Sequence, residues 1–390
     1  MKKLTAVSFL VMMAGALSST CSATSEYVIA NANNATFNDN TLVVYKLDTT
    51  TGTLSQVGVL ETGGQGLGAL GDPANLQQAI APNGGCIFAL NAGSSDIASF
   101  SEATGYARVG NYSNFGLDAT YNGGSLALTP NGKYLFASYS ATQNIAAWAV
   151  NPDCSLTFIA AYIPSGGGRV GAIKVTPNGV GLVASLRTTY GGAELFAVDQ
   201  ATGALTDVNF ASFFDNPYCT SEGGCYPDGL DFAKDSKYVV FASGVSSGVQ
   251  HGTQIAITCQ VASLGLISPR GWSLYSQAGL GLGGNQTPFF GAAGYAGSGS
   301  LYFGTQHGVM AASFVERPLK IKLTNTTLVA PTFADGSIAV TGSMMVIAEY
   351  PNQIGVFSIN ADGSLTELST TALKGDGVLM FSLSVFPSTR

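Results

Sequence analysis

The chain has 390 residues, 46% of them apolar and only 10% charged, with 50 glycines and a formal net charge of −7. That is ample material for large cores, and no polar or charged run marks a disordered linker. The acidic balance, without any cluster of Lys or Arg, argues against nucleic-acid binding and against adhesion to anionic membranes.

The first residues read as a targeting segment. Lys2-Lys3 form a positive n-region, residues 4–17 an apolar h-region, and Cys21-Ser22-Ala23 a small-residue cleavage site. Residues 1–23 are therefore expected to be a signal peptide and residues 24–390 one domain, secreted or periplasmic. A lipoprotein acylated at Cys21 is disfavoured, because Ser18-Ser19-Thr20 lacks the Leu and small residues usual in that context. No later apolar run is long enough for a spanning helix, so no integral membrane segment is expected after cleavage.

Residues 27–60 read as three strands broken by an Asn-rich loop, 31–40, that contains Asp39. The loop at 63–75 follows, with Asp72. Its Gly-Gly-Gln-Gly-Leu-Gly has no strand–helix unit around it, so it reads as a flexible loop and not as a dinucleotide fingerprint. From here a repeat sets in. Pro82-Asn83-Gly84, Pro130-Asn131-Gly132 and Pro177-Asn178-Gly179 fall 48 and 47 residues apart, each followed by an apolar run. Degenerate copies lie at 233–237 and 297–300. A later turn recurs as Thr51-Gly52-Thr53-Leu54, Thr202-Gly203-Ala204-Leu205 and Asp362-Gly363-Ser364-Leu365. Between the turns lie short alternating runs rich in β-branched and aromatic residues, four strands to a unit.

A period of this length with four strands per unit marks a β-propeller blade. Complete units fall at about 75–112, 124–161, 171–210, 228–276, 287–330 and 336–371. The segment 27–60 lacks a first strand, and residues 381–390 look like a first strand that lacks its sequel. The expectation is an all-β, seven-bladed propeller whose seventh blade is closed by both chain ends.

In such a ring, the loops from second to third strand share one face with the loops that lead from one blade into the next. Ligand sites collect there, around the axial funnel. Sorted this way, the chain's two histidines, His251 and His307, both map to that face. So do Arg169, Arg187, Asp118, Tyr121, Asn122, Tyr190, Asp215, Glu222, Asp228, Glu349 and Tyr350. The Pro-Asn-Gly turns lie opposite and read as structural. No G-x-S-x-G, H-E-x-x-H or calcium-loop motif is present.

Cys219 and Cys225 flank a Gly-rich loop and are expected to form a disulfide. Without a nearby His or second Cys pair they make a poor zinc site, so no metal is expected, and no cofactor either. Cys86, Cys154 and Cys259 fall in or beside strands and read as buried free thiols.

TPNGKYLFASYSATQNIAAWAVNPDCSLT and YVIANAN…NTLVVYKLDTTTGTLSQV resemble the blades of the seven-bladed lactonase family. That family's propellers are similar to bacterial 6-phosphogluconolactonase and fungal carboxymuconate cyclase, and YVTN-type surface propellers share the grammar. The resemblance implies a lactone-opening or lactone-forming site in the funnel that uses His, Arg and carboxylate groups. Its catalytic groups would be His251, His307, Asp228 and Glu349, and its ligand-binding groups Arg169, Arg187, Tyr121, Tyr190 and Tyr350. The family's His, about six residues before the turn Pro of a middle blade, is here Leu76, Gly124 or Gly171, with Asp228 as the fifth-blade counterpart. The expected function is an exported, monomeric lactone hydrolase acting on a small molecule. The alternatives are a non-catalytic ligand- or protein-binding propeller and a structural surface protein.

Overall fold

Alternating apolar residues at strand spacing form seven separate four-stranded antiparallel sheets. The computed structural model describes residues 26–68, 79–80, 85–113, 124–139, 143–188, 191–213, 225–233, 238–246, 257–268, 271–279, 293–296, 300–305, 308–316, 319–325, 337–349, 352–373 and 382–387.

Blade one contains β1 (Glu26–Asn31), β2 (Thr41–Leu47) and β3 (Leu54–Glu61). Blade two is β4 (Ala79–Ile80), β5 (Cys86–Asn91), β6 (Asp96–Ser101) and β7 (Ala107–Ser113). Blade three is β8 (Gly124–Leu128), β9 (Tyr134–Tyr139), β10 (Asn144–Val150) and β11 (Leu156–Tyr162). Blade four is β12 (Arg169–Val175), β13 (Gly181–Arg187), β14 (Gly192–Val198) and β15 (Leu205–Ser212). Blade five is β16 (Cys225–Ala233), β17 (Tyr238–Ser246), β18 (Ile257–Ser268) and β19 (Gly271–Gly279). Blade six is β20 (Ala293–Ala296), β21 (Ser300–Thr305), β22 (Gly308–Glu316) and β23 (Leu319–Asn325). Blade seven is β24 (Ile338–Thr341), β25 (Met344–Glu349), β26 (Gln353–Ile359) and β27 (Leu365–Ala372), and β28 (Ser382–Pro387) follows. Among the described residues no helix is long and apolar enough to cross a membrane.

The inner strands β4, β8, β12, β16, β20, β24 and β28 touch in succession, and β28 touches β4, so the ring is closed. Closure uses both chain ends, as expected. β28 pairs with β1 from Glu26↔Pro387 to Asn31↔Ser382 and completes the sheet β28-β1-β2-β3. Strand alternation then gives blade one two apolar faces. Ile29 and Leu42 pack on Ile87, Ala89 and Phe100 of blade two. Val28, Ala30, Val43 and Tyr45 pack with Leu383 on Val346, Ile354 and Val356 of blade seven. Each fully buried side chain of this size contributes about 1.5–3 kcal/mol.

The turns explain the repeat. Gly132 and Gly179 sit at φ +69° and +79°, which favours glycine. In these two copies a preceding Thr locks the turn: Thr129 Oγ1 donates to Asn131 Oδ1 at 2.7 Å, and Thr176 Oγ1 to Asn178 Oδ1 at 2.7 Å. A feature invisible in the sequence is a β-bulge in the pairing of third with fourth strand in all seven blades. A bulge bends and twists the outer edge strand, which makes it a poor template for edge-to-edge pairing.

The cysteine expectation needs correction. Cys86 and Cys154, read as free thiols, form a disulfide with Cα atoms 5.5 Å apart. It staples the start of β5 in blade two to the β10–β11 turn of blade three. Adjacent blades bring the two together across 68 residues of sequence, which no local spacing signals. Cys154 has φ +68° in a turn whose blade-seven counterpart is Gly363 at φ +83°. Blade three thus places a cysteine where the repeat elsewhere uses glycine. Cys225 opens β16, and Cys219 lies outside the described residues.

Two outcomes follow from this architecture. Deleting residues 378–390 removes β28 and uncovers the apolar edge of β1, so soluble expression should be lost; a truncated protein that melts at the wild-type temperature would overturn the closure argument. The Cys86→Ser/Cys154→Ser pair should lose about 4 kcal/mol in urea titration, the chain-entropy value for a loop of this length. Cys154→Gly in place of Cys154→Ser should recover about 1 kcal/mol by relieving the left-handed backbone.

Candidate functional site

Blade four gathers two arginines at its loop-face end. Arg169 opens β12, Arg187 closes β13, and the two stand directly opposite one another in the antiparallel register. Opposed residues of this kind have Cβ atoms about 4.5–5.5 Å apart. Two arginines rooted so close, one of them at the start of the innermost strand, bring two positive charges to one end of the blade.

The loop before Arg169 is held rigidly for a physical reason. Glu194, on β14, is fully buried, and its carboxylate accepts the backbone N–H of Ser165 and of Gly166, both at 2.8 Å. Burial pushes the Glu194 carboxyl above its usual range, opposed by these two hydrogen bonds. Gly166 lies against the Phe210 ring, where a Cβ would come within 2.3 Å of it, so only glycine fits.

Deeper along the axis, Lys174 of β12 and Asp231 of β16 form an ion pair between adjacent inner strands. Above it the second strands carry equivalent serines. Ser138 Oγ accepts the Ser125 N–H at 2.9 Å, and Ser185 Oγ accepts the Ala172 N–H at 2.8 Å. Ser243 is opposite Pro227, which has no N–H to give. Its buried hydroxyl has no hydrogen-bond partner among the described residues. The register slips beside it, so Asp228 is the extra residue of a bulge between Pro227 and Gly229. β12 carries a bulge at the corresponding level, between Val170 and Ile173.

The Asn-rich loop of blade one is structural. Asn40 Nδ2 donates to Asn31 Oδ1 at 3.2 Å and to Asn91 Oδ1 at 2.8 Å, and Asn91 donates to Asp96 at 2.7 Å. Residues 63–68, expected to be a flexible loop, are bonded on both sides: Gly68 N–H to Asn33 O at 2.9 Å, and Gly93 N–H to Gln65 O at 2.8 Å. Their glycines permit close backbone approach, since a Cβ on Gly66 would lie 2.3 Å from the Asn33 carbonyl carbon.

Of the expected site residues, Arg169 and Arg187 are brought together, and Asp228 is placed in the bulged inner strand of the next blade. Glu349 ends β25, is buried at 4% exposure, and turns toward Gly355 of its own blade, where a Cβ would come within 2.5 Å of its Oε1. His251, His307, Tyr121, Tyr190 and Tyr350 lie outside the described residues, as do Asp72, Asp118, Asn122, Asp215 and Glu222. Sequence reasoning passed over Glu194 and the Lys174–Asp231 pair. Both sit inside strands, where only the fold brings their partners near. A cleft of about 860 Å³ opens on the opposite face, between Lys133, Asn151 and Cys154 of blade three and Gly85 and Glu102 of blade two; it contains none of the expected site residues. Among the described residues no group of three or more His, Cys, Asp or Glu could hold a metal ion.

A sequence model of the family described as "Lactonase, 7-bladed beta-propeller" matches residues 106–222. No curated protein sequence matches the chain. Among solved structures, a candidate 6-phosphogluconolactonase from Bacteroides fragilis superposes with a TM-score of 0.68 at 14% identity, covering 94% of this chain and 99% of that one. A periplasmic gluconolactonase from Pseudomonas aeruginosa gives a TM-score of 0.65 at 15% identity, covering 92% and 99%. At these identities the likeness establishes the propeller fold, and the chain is similar to the lactonase propellers in it.

The serines supply a test. Ser185→Ala strands a bulge N–H and should cost about 1–3 kcal/mol, whereas Ser243→Ala removes an unbonded buried hydroxyl and should be neutral or stabilising. Urea titration of the two variants checks the opposite signs.

Proposed function

We propose that this lactonase-like propeller is an exported hydrolase that opens a small lactone at the loop face of its axial funnel. The observation that carries the reading is the Arg169–Arg187 pair at the inner end of blade four. In the proposed reaction, water attacks the lactone carbonyl carbon and gives its proton to a general base. The ring C–O bond then breaks, and the departing alkoxide takes a proton to leave a hydroxy acid. Arg169 and Arg187 stabilise the charge gathering on the carbonyl oxygen or hold a substrate carboxylate. His251, His307, Asp228 and Glu349 are the acid–base candidates, and Tyr121, Tyr190 and Tyr350 the further ligand contacts. The similarity to lactonase propellers supports the choice of reaction. Export is supported by the Cys86–Cys154 bond, since disulfides persist mainly in oxidising compartments.

A specific observation favours a second reading, a propeller that binds its ligand without hydrolysing it. At Gly124, one of the positions where the resemblance expects a His, a Cβ would lie 2.1 Å from the Ser138 carbonyl oxygen. This backbone accepts no side chain there.

Purified protein screened against a panel of lactones, read as acid release, separates the two. Hydrolysis of at least one lactone is expected, with kcat/KM falling about tenfold to a hundredfold in Arg169→Ala and Arg187→Ala, the worth of a charged hydrogen bond. Lactones that bind but stay closed would establish the second reading. Arginine variants that hydrolyse as wild type does would remove the site from blade four.

A further inference from the structure

We propose that Glu194 is a positioning residue: its buried carboxylate anchors the loop that leads into Arg169 and so sets the anion affinity of the funnel. The inference rests on the reading of Arg169 as a ligand-binding group.

Residues 163–168 run from blade three into blade four, and the loop is clamped from two sides. On one side the Glu194 carboxylate chelates two successive backbone N–H groups, those of Ser165 and Gly166. On the other, Gly168 lies so close to the Arg187 main chain that a Cβ would fall 2.8 Å from the Arg187 carbonyl oxygen. Gly167 and Gly168 are both left-handed, at φ +67° and +80°, and turn the chain sharply into Arg169. Only Gly167 and Gly168 separate the anchored Gly166 from Arg169, which leaves the arginine little freedom to drift from Arg187.

Stability alone gives no reason for a carboxylate at this place. Burying a charge without a countercharge costs several kcal/mol, and the two N–H bonds offset only part of it. Among the described residues, the charged group acting on Glu194 through space is Asp207 of β15, and it repels. Ala184 of β13 and Phe210 of β15 stand opposite Glu194 in the sheet, and neither ionises. Tyr162, at the end of β11, packs into the same cluster as Phe210. An apolar residue would pack here at lower cost but could not capture two amides.

The two hydrogen bonds favour the charged form, so docking of the loop and ionisation of Glu194 are linked. Protonation turns one acceptor oxygen into a donor and frees an amide. Because burial already raises the tendency of Glu194 to hold a proton, mild acid should loosen the loop and weaken anion binding.

Two measurements on the full chain test this. The first is hydrogen exchange over residues 163–170; the second is affinity for inorganic sulfate, whose charge does not change between pH 5 and 8. In Glu194→Gln, whose amide offers a donor where a carboxylate oxygen stood, Ser165 and Gly166 should exchange faster and sulfate affinity should fall about tenfold. Wild-type affinity should drop toward pH 5 more steeply than that of the variant, and Glu194→Asp should recover part of the loss. Unchanged exchange in Glu194→Gln overturns the inference. Faster exchange with unchanged sulfate affinity makes Glu194 merely structural and overturns it as well. If Arg169→Ala abolishes sulfate binding while Glu194→Gln does not weaken it, the arginine reading stands and this inference alone fails. If Arg169→Ala leaves sulfate binding intact, both fail.

Discussion

A blade with apolar side chains on both faces cannot bury them alone, and every other feature of this protein follows from how that problem is solved. Each sheet is flanked by two neighbours, so the arrangement must return on itself or leave two large faces in water. The pairing of β28 with β1 is where the ring returns. It is supported across the same seam by Thr341 Oγ1 donating to Glu26 at 2.5 Å and by Ser369 Oγ donating to Gly52 O at 2.6 Å. With closure in place, the outer strands remain as edges, and the bulge in every blade twists them out of line.

Closure also dictates where chemistry can happen. The inner strands converge, and their loop-face ends come from seven separate parts of the sequence. In blade four the antiparallel register of neighbouring strands sets Arg169 against Arg187; in blade five Asp228 is the extra residue of a bulge between Pro227 and Gly229. The polar groups that are fully satisfied mark the structural part of the same face. The Asn31–Asn40–Asn91–Asp96 chain locks blade one to blade two. Its cooperativity makes it costly to disturb, and it leaves little for a ligand to claim.

Glycine has two uses here. In the Thr-Pro-Asn-Gly turns it supplies a backbone conformation. At Gly124 and Gly166 it supplies space, because another part of the chain occupies the volume of a side chain. That second use closes off Gly124, one position where the resemblance expects a histidine, and makes room for the rigid loop before Arg169.

The blade count, the strand positions and the closure by both chain ends were legible in the residues, because turns and period-two alternation are local and repeat. So was the clustering of both arginines at one end of blade four, which needs only the order of strands within a blade. Cys154 was read as a free thiol, and its place in the glycine slot of the turn, where Asp362-Gly363-Ser364-Leu365 stands in blade seven, was passed over. Its pairing with Cys86 was not legible, nor were the Lys174–Asp231 pair and the two amides held by Glu194. Each of these joins different blades, or a loop to a strand well along the chain. Distance in space between such groups depends on how blades rotate and pack around the axis, a property of the ring that no single repeat contains.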